Sequence, residues 1–315
     1  MRAKTLVFMG TPDIACPTLT AASKAGWQVK GVVTQPDRPA GRGKKVRRCP
    51  VAAQADDLGF LVLQPERIAA LKEELKSLDA QACVVMAMGQ ILPKEILDIF
   101  PLGCVNLHTS LLPLLRGASP INQAIIQGFD TTGVTAMMMD QGMDTGHIIM
   151  QEELIIDMQE TAGSLADRLS ALAADLLPRT LEALWKGEAT WTPQDGGKAT
   201  YAPVMKKTDG LLDWNKSAEE LDRQVRGMDP WPSAFTSLNQ KQLRLFAPTC
   251  LSDFDHKAKP GTVLPPQMER PDMLWVACGQ GALGLGQVQA AGKRRMEARN
   301  FIHGLRDKQG FCLGE

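Results

Sequence analysis

The sequence has little that would suit an exported, membrane-bound or metal-built protein. Its seven cysteines, Cys16, Cys49, Cys83, Cys104, Cys250, Cys278 and Cys312, form an odd set without a C-x-x-C pair. They predict neither a disulfide framework nor a zinc knuckle, but reduced thiols in a cytoplasm. The four histidines, His108, His147, His256 and His303, show no H-E-x-x-H spacing, so no structural metal site is expected. No apolar run approaches the roughly 18 residues that span a bilayer, and the opening MRAKTLVFMGTPD soon turns polar. Neither export nor membrane insertion is expected. Net charge is also missing, because 35 Lys and Arg balance 35 Asp and Glu. No internal repeat or low-complexity tract stands out.

What is present is the composition of a folded, water-soluble chain. The residues are 44% apolar and 22% charged, which excludes a collagenous or disordered polymer. At roughly 150 residues per domain, the 315 residues suggest two domains.

The first half alternates apolar or β-branched runs with helix-length segments. Candidate strands are residues 5–9, 29–34, 60–63, 82–86, 104–108 and 134–139. Continuously apolar strands with helices between them predict an open, mostly parallel α/β sheet covered on both faces. Gly10-Thr11-Pro12 marks a βα turn. Leucines at helical spacing predict a long helix over residues 161–186, with Ser164 and Asp167 as a capping box. The division expected is a catalytic domain at 1–190, a Gly/Thr/Pro/Lys-rich linker at 191–207 and a second domain at 208–315. In that second domain, Ser217 and Glu220 form another capping box, and the short runs at 243–246, 273–277 and 283–288 predict a small barrel or sandwich.

Two glycine-rich stretches carry little. Gly279-Gln-Gly281-Ala-Leu-Gly284 fits a nucleotide fingerprint in letters, but Gly286 interrupts any helix after it, so a pair of turns is the better reading. Gly41-Arg-Gly43-Lys44-Lys45 has Lys where a phosphate loop needs Ser or Thr for magnesium.

The segment 35–50 is more informative. It holds Arg38, Arg42, Lys44, Lys45, Arg47 and Arg48 against the single acid Asp37, in a chain with no net charge. Its Pro and Gly content predicts neither helix nor strand, and a loop of this length points to an anionic ligand or nucleic acid rather than to a merely solvated surface. A second basic cluster, Lys293, Arg294, Arg295 and Arg299, lies in the second domain, with Lys206 and Lys207 in the linker. Two separated patches suit a long polyanion, the alternative being a solubilising surface.

The stretch 104–120, CVNLHTSLLPLLRGASP, joins with DQGMDTG at 140–146. Asn106 and His108 are two apart on a predicted strand and share a face at the end where a parallel sheet opens its ligand crevice. His108 alone would read as a hydrogen-bonded core histidine. The pair together with a Gly-flanked acidic loop reads as catalytic. An amide N–H and an imidazolium N–H can both donate to a developing oxyanion, and a nearby carboxylate can stabilise the imidazolium and take a proton from an attacking amine. Asp144 is the candidate carboxylate, and Asp140 is read as a turn residue.

N-x-H-x-S-L-L-P-x-x-R-G at 106–117, followed by D-x-G-x-D-T-G at 140–146, resembles the folate-dependent formyltransferases, which move a formyl group from 10-formyltetrahydrofolate to an amine. VFMGTPD at 7–13, QPDRPAGRGKK at 35–45, and YAPV with DW within 201–214 are similar to the branch whose acceptor is methionyl-tRNA, and the resemblance covers essentially the whole chain. It implies a doubly wound catalytic domain, a C-terminal OB-like β-barrel, and an initiator methionyl-tRNA formylated on its α-amino group for translation initiation. Asn106, His108 and Asp144 would be catalytic. Ser110, Leu111, Leu112 and Pro113, with Met88, Gly89 and Ile91 from the 86–91 segment, would line the folate site. Arg38, Arg42, Lys44 and Lys45, with Lys206, Lys207, Lys293 and Arg294, would hold the tRNA. The folate is a substrate, no metal is implied, and a monomer is expected because a second chain would have to avoid the tRNA surface. The chain departs from the family at Met88, usually Tyr, at Leu114 and Leu115, usually Arg and an aromatic, and at Ile14, usually Phe. Transfer to a small amine, and hydrolysis of the formyl folate, are the competing readings, and a non-catalytic RNA-binding protein is the alternative outside the class.

Overall fold

The computed structural model describes residues 3–40, 45–267, 270–305 and 310–314. In chain order, the elements are β1 (Thr5–Gly10), α1 (Cys16–Lys24), β2 (Gln28–Val33), β3 (Arg38–Ala40), β4 (Lys45–Arg47), α2 (Pro50–Asp57), β5 (Val62–Leu63), α3 (Lys72–Ser77), β6 (Ala82–Met86) and α4 (Lys94–Leu97). They continue with β7 (Cys104–His108), β8 (Arg116–Gly117), α5 (Pro120–Ile126), β9 (Thr131–Met138), β10 (Ile148–Ile155), α6 (Ala162–Lys186), β11 (Tyr201–Ala202) and α7 (Ala218–Gly227). The last are β12 (Phe235–Leu238), β13 (Lys241–Leu251), β14 (Leu274–Ala277), β15 (Ala282–Ala290), β16 (Met296–Glu297) and α8 (Ala298–His303). Two compact units result: Met1–Pro120 with Thr131–Ile155 and Ala166–Pro203, and Ile121–Asp130 with Ile156–Leu165 and Val204–Glu315. Among the described residues no helix is long and apolar enough to cross a membrane.

The first unit is built on a seven-stranded sheet of order β10-β9-β7-β6-β1-β2-β5. Pairs β1/β2, β1/β6, β6/β7 and β2/β5 are parallel, whereas β7/β9 and β9/β10 are antiparallel. All six residues of β1 are buried, because a central strand must satisfy both faces with apolar side chains. Val7 and Met9 pack with Val85, Leu75 and Ile96 on one face. Thr18 of α1 reaches Met86 on the other, its hydroxyl 3.1 Å from the sulfur. The chain lays down β2 and β5 on one side of β1 and returns to place β6 and β7 on the other, so the strand order switches between β1 and β6. Ligands of open α/β sheets bind outside the carboxyl ends of strands at such a switch, which is where the loops after Gly10, Met86 and His108 emerge.

Several expectations change in detail. Strand β10 is absent from the sequence-based set, although its burial alternates as a half-covered edge strand should. The cap of α6 is set three residues before the expected Ser164–Asp167 box: Thr161 N–H donates to Ser164 Oγ at 3.0 Å and Ser164 N–H to Thr161 Oγ1 at 3.2 Å. Segment 35–50, expected to be irregular, holds the antiparallel ribbon β3/β4, with Arg38 opposite Arg47; a ribbon in which both strands are edges tolerates proline. The stretch 191–203, expected to be linker, belongs to the first unit. Thr192 bridges Ile148, and β11 pairs in parallel with β8.

In the second unit, the Ser217–Glu220 box opens α7 as expected, with Glu220 N–H donating to Ser217 Oγ at 3.2 Å and Ser217 N–H to Glu220 Oε2 at 3.0 Å. The sheet runs β12-β13-β15-β14 with β16 on β15, all pairs antiparallel. Single bridges, Leu211–Phe235 and Val263–Val276, extend its two edges, yet among the described residues it does not close into a ring. The expected OB-like barrel is thus an open antiparallel sheet whose core includes Trp214, Leu221, Val225, Leu245 and Leu285. Gly281 is a turn residue at φ +74°, and a Cβ at Gly284 would stand 2.8 Å from the Trp275 ring, so the G-x-G-x-x-G stretch serves packing.

Candidate active site

Strand β7 carries the site. It is hydrogen-bonded between β6 and β9, with Asn106 opposite Val85 and Met137, and His108 opposite Thr135. Asn106 is half-buried, and its carboxamide makes no hydrogen bond among the described residues. His108 is buried, with Nε2 3.0 Å from the Leu115 carbonyl oxygen. A carbonyl only accepts, so Nε2 must carry a proton, which leaves Nδ1 as the nitrogen that can gain or lose one.

Nδ1 faces Asp144. The separation to Asp144 Oδ2 is 3.7 Å, with 7% and 17% of the two side chains exposed. The same oxygen accepts a hydrogen bond from Gly117 N–H at 2.8 Å. Gly117, at φ +117°, cannot be replaced without cost, since a Cβ there would lie 2.6 Å from the Ala202 carbonyl oxygen. Asp144 itself has φ +52°. Asp140, by contrast, is spent in its own turn, its Oδ1 accepting from Gly142 N–H at 2.9 Å and Thr145 Oγ1 at 2.7 Å.

The loop after β7 is held from within by Thr135. Its buried hydroxyl donates to the Ser110 carbonyl at 2.6 Å and accepts from Leu112 N–H at 3.1 Å and Gln151 Nε2 at 2.8 Å. Ser110 Oγ donates to the Leu114 carbonyl at 2.6 Å, and Leu112 is buried. The Ser110 hydroxyl is thus engaged within the loop and the Leu112 side chain is buried, whereas Leu111 and Pro113 are half-buried. Thr135→Val is expected to lower the unfolding free energy by about 2 kcal/mol, read from urea denaturation, because it strands the buried Ser110 carbonyl and the Leu112 N–H at once, while Gln151 Nε2 keeps the Leu112 carbonyl at 2.9 Å.

The loop after β6 is organised around the Met88 carbonyl, which accepts from Thr11 Oγ1 at 3.3 Å and Gln35 Nε2 at 3.2 Å. Gln35 N–H in turn donates to Thr11 Oγ1 at 3.1 Å. The Met88 side chain is buried, whereas Gly89 is exposed and Ile91 is 84% exposed. Ala87 and Gly89, both exposed, have φ of +50° and +74°.

The basic candidates divide. Arg42 and Lys44 lie outside the described residues. Arg38 is exposed at the base of the ribbon, 3.4 Å from Gln35 Oε1, and Lys45 begins β4. Arg48 is committed to Asp56, at 2.8 Å, and to Asp37. Lys206, Lys207, Lys293 and Arg294 are all exposed and all in the second unit. Arg295, next to them, is not free: it pairs with Asp229 at 3.1 Å and lies over the Phe246 ring.

Residues that carry the geometry but are not marked by the sequence are Thr135, Gln151 and Gln194, while Thr11 and Gln35, which lie in motifs the sequence does mark, are not distinguished there from their neighbours. Their partners are distant in sequence, and no local periodicity marks them.

The chain matches the formyl transferase family over residues 3–181 and the formyl transferase C-terminal domain over residues 204–306. It is 45% identical over 316 residues to the methionyl-tRNA formyltransferase of Lachnospira eligens, covering 98% of this chain and 99% of that one. To the methionyl-tRNA formyltransferase of Desulfotalea psychrophila it is 48% identical over 304 residues, covering 96% and 93%. The N-formyltransferase from Helicobacter canadensis, solved in complex with folinic acid and dTDP-3-aminofucose, gives a TM-score of 0.66 at 17% identity over 92% of this chain and 100% of that one. HypX from Aquifex aeolicus, in complex with tetrahydrofolic acid, gives 0.66 at 15% identity over 96% of this chain and 47% of HypX, so the present chain spans about half the length of HypX. At these identities the two structures show a shared fold.

Proposed function

The chain belongs to the formyl transferase family, and from that membership we propose that it transfers the formyl group of 10-formyltetrahydrofolate to the α-amino group of initiator methionyl-tRNA, for translation initiation. The observation that carries the mechanism is the approach of Asp144 Oδ2 to His108 Nδ1 beside the unengaged carboxamide of Asn106.

The donor folate supplies an activated formyl carbon. The residues of this chain do the rest. The amine nitrogen attacks that carbon, and the carbonyl oxygen gathers negative charge as the new C–N bond forms; when the oxyanion collapses, the bond from the formyl carbon to N10 of the folate breaks, its electron pair goes to N10, and N10 takes up a proton as tetrahydrofolate leaves. Asn106 donates to it through its amide, and His108 through Nδ1–H when protonated. Asp144 stabilises the imidazolium and accepts the proton that the attacking amine must lose, directly or through water. The folate would lie along Met88, Gly89 and Ile91 and along Leu111, Leu112 and Pro113, with Ser110 shaping the second loop. The fit is supported by the exposure of Ala87 and Gly89, whose main chain can pair with the polar edge of a pterin.

The exposed Arg38, Lys206, Lys207, Lys293 and Arg294 support a polyanionic acceptor. Arg38, Arg42, Lys44 and Lys45 are assigned to the acceptor end of the tRNA, and Lys206, Lys207, Lys293 and Arg294 to its backbone. Arg42→Ala is expected to lower kcat/KM for methionyl-tRNA about tenfold or more while the KM of the formyl donor moves less than about twofold. Equal loss for both substrates would remove Arg42 from the tRNA side. The reading also takes the chain as a cytoplasmic monomer, a compartment supported by seven free thiols.

The deciding assay is formyl transfer from 10-formyltetrahydrofolate with purified protein, offering charged initiator methionyl-tRNA, glycinamide ribonucleotide or no acceptor. Formylmethionyl-tRNA as the sole product is expected. Formate without an acceptor would make the chain a hydrolase, and transfer to the small amine alone would overturn the tRNA.

A further inference from the structure

Gln194 lies in the segment after α6, in none of the motifs singled out in the sequence, yet it joins two parts of the candidate site. Its Oε1 accepts from Arg116 Nε at 3.1 Å and from Arg116 Nη2 at 2.7 Å. Its Nε2 donates to the Asp144 carbonyl and to the Gly146 carbonyl, both at 2.8 Å. The orientation of this amide is settled by chemistry. A guanidinium only donates and carbonyls only accept, so the oxygen must face Arg116 and the nitrogen the loop.

We propose that Gln194, anchored by Arg116, is a positioning residue that holds the Asp144 carboxylate against His108. The proposal rests on the reading of Asp144 as a catalytic group. Three observations carry it. Asp144 sits at φ +52°, a conformation that is strained for a non-glycine residue and persists only where the surroundings over-determine it. Arg116 is 6% exposed, and the only hydrogen-bond partner of its guanidinium among the described residues is the neutral Gln194 side chain. Burying a cation without a carboxylate is a poor way to gain stability, so its value lies in what it fixes. Finally, the residue after Arg116 holds the other end of Asp144: Gly117 N–H donates to Oδ2, while Gln194 holds the carbonyl. The Arg116 main chain is itself pinned, its N–H donating to the Thr200 carbonyl at 2.8 Å. Both ends of Asp144 are therefore referred to one rigid element, and the carboxylate's direction toward Nδ1 follows.

The test is a double-mutant cycle in the full chain. Gln194→Glu keeps an acceptor for Arg116 but removes both donors to the loop; Gln194→Ala removes the clamp altogether. Each is expected to lower kcat about 10- to 100-fold, with the KM of the formyl donor within about twofold. In an Asp144→Asn background the same changes should cost less than about twofold, because the group being positioned is already gone. Equal fold losses in both backgrounds, or no loss, would reduce Gln194 to a structural residue. A crystal structure of Gln194→Glu decides the matter independently of turnover: Asp144 Oδ2 should withdraw from His108 Nδ1 by roughly 1 Å, and an unmoved carboxylate would overturn the proposal. If the unmutated chain formylates no amine, the catalytic reading fails in the assay while this distance still reports on the clamp.

Discussion

Asp144→Asn is expected to lower kcat for formyl transfer by about 10²–10⁴-fold while leaving tRNA affinity and the KM of the formyl donor nearly unchanged. The substitution is isosteric. An Asn side-chain oxygen can still accept from Gly117 N–H, so the loop keeps its anchor. Asn also adopts positive φ more readily than most residues, so the backbone at +52° is not disturbed. What disappears is the negative charge 3.7 Å from Nδ1 and the capacity to take a proton. In a half-buried pair such a charge is worth more than at an open surface, and the nearby Asp140 does not replace it, because its Oδ1 is tied to Gly142 and Thr145. Steady-state kinetics with saturating tRNA reads the effect, and thermal unfolding should move little. Normal turnover in this variant would remove Asp144 from the mechanism.

How much of this could be read from residues alone depends on the range over which each feature is encoded. Continuous apolar runs such as Thr5–Gly10 announce a doubly covered strand, because the signal lies within the element itself. The Ser217–Glu220 box was legible for the same reason, both partners lying three residues apart. The cap of α6 falls at Thr161 rather than Ser164, because Ser164 can open a box or close one and the local spacing does not choose between the two. The stretch 191–203 misled further. Its Gly, Thr and Pro content is that of a linker, yet Gln194 finds Arg116 across 78 residues and Asp144 across 50. Composition carries no record of such pairings. The triad was legible as motif letters, whereas the proton bookkeeping on His108 needed the Leu115 carbonyl, which is positioned by a loop whose own support comes from Thr135 and Thr200.

That carbonyl shapes the second large effect. His108→Ala is expected to reduce kcat about 10²–10⁴-fold, since it removes both the oxyanion donor and the partner of Asp144. Unlike Asp144→Asn, it should also lower stability by about 1–3 kcal/mol, because the buried Leu115 carbonyl loses its donor at 3.0 Å and a cavity opens beneath the loop. The two losses separate experimentally. Denaturant unfolding gives the stability term, and activity measured where the variant is fully folded gives the chemical one. Added imidazole supplies a finer test. The cavity left by the ring lies beside Asp144, so free imidazole that enters it regains the ion partner and the proton-carrying nitrogen. Turnover of His108→Ala should then rise with imidazole and saturate, whereas His108→Ala combined with Asp144→Asn should gain far less. A rise that is equal with and without the carboxylate would mean that imidazole acts as bulk buffer, and that the His108–Asp144 pair is not the unit through which this site handles its proton.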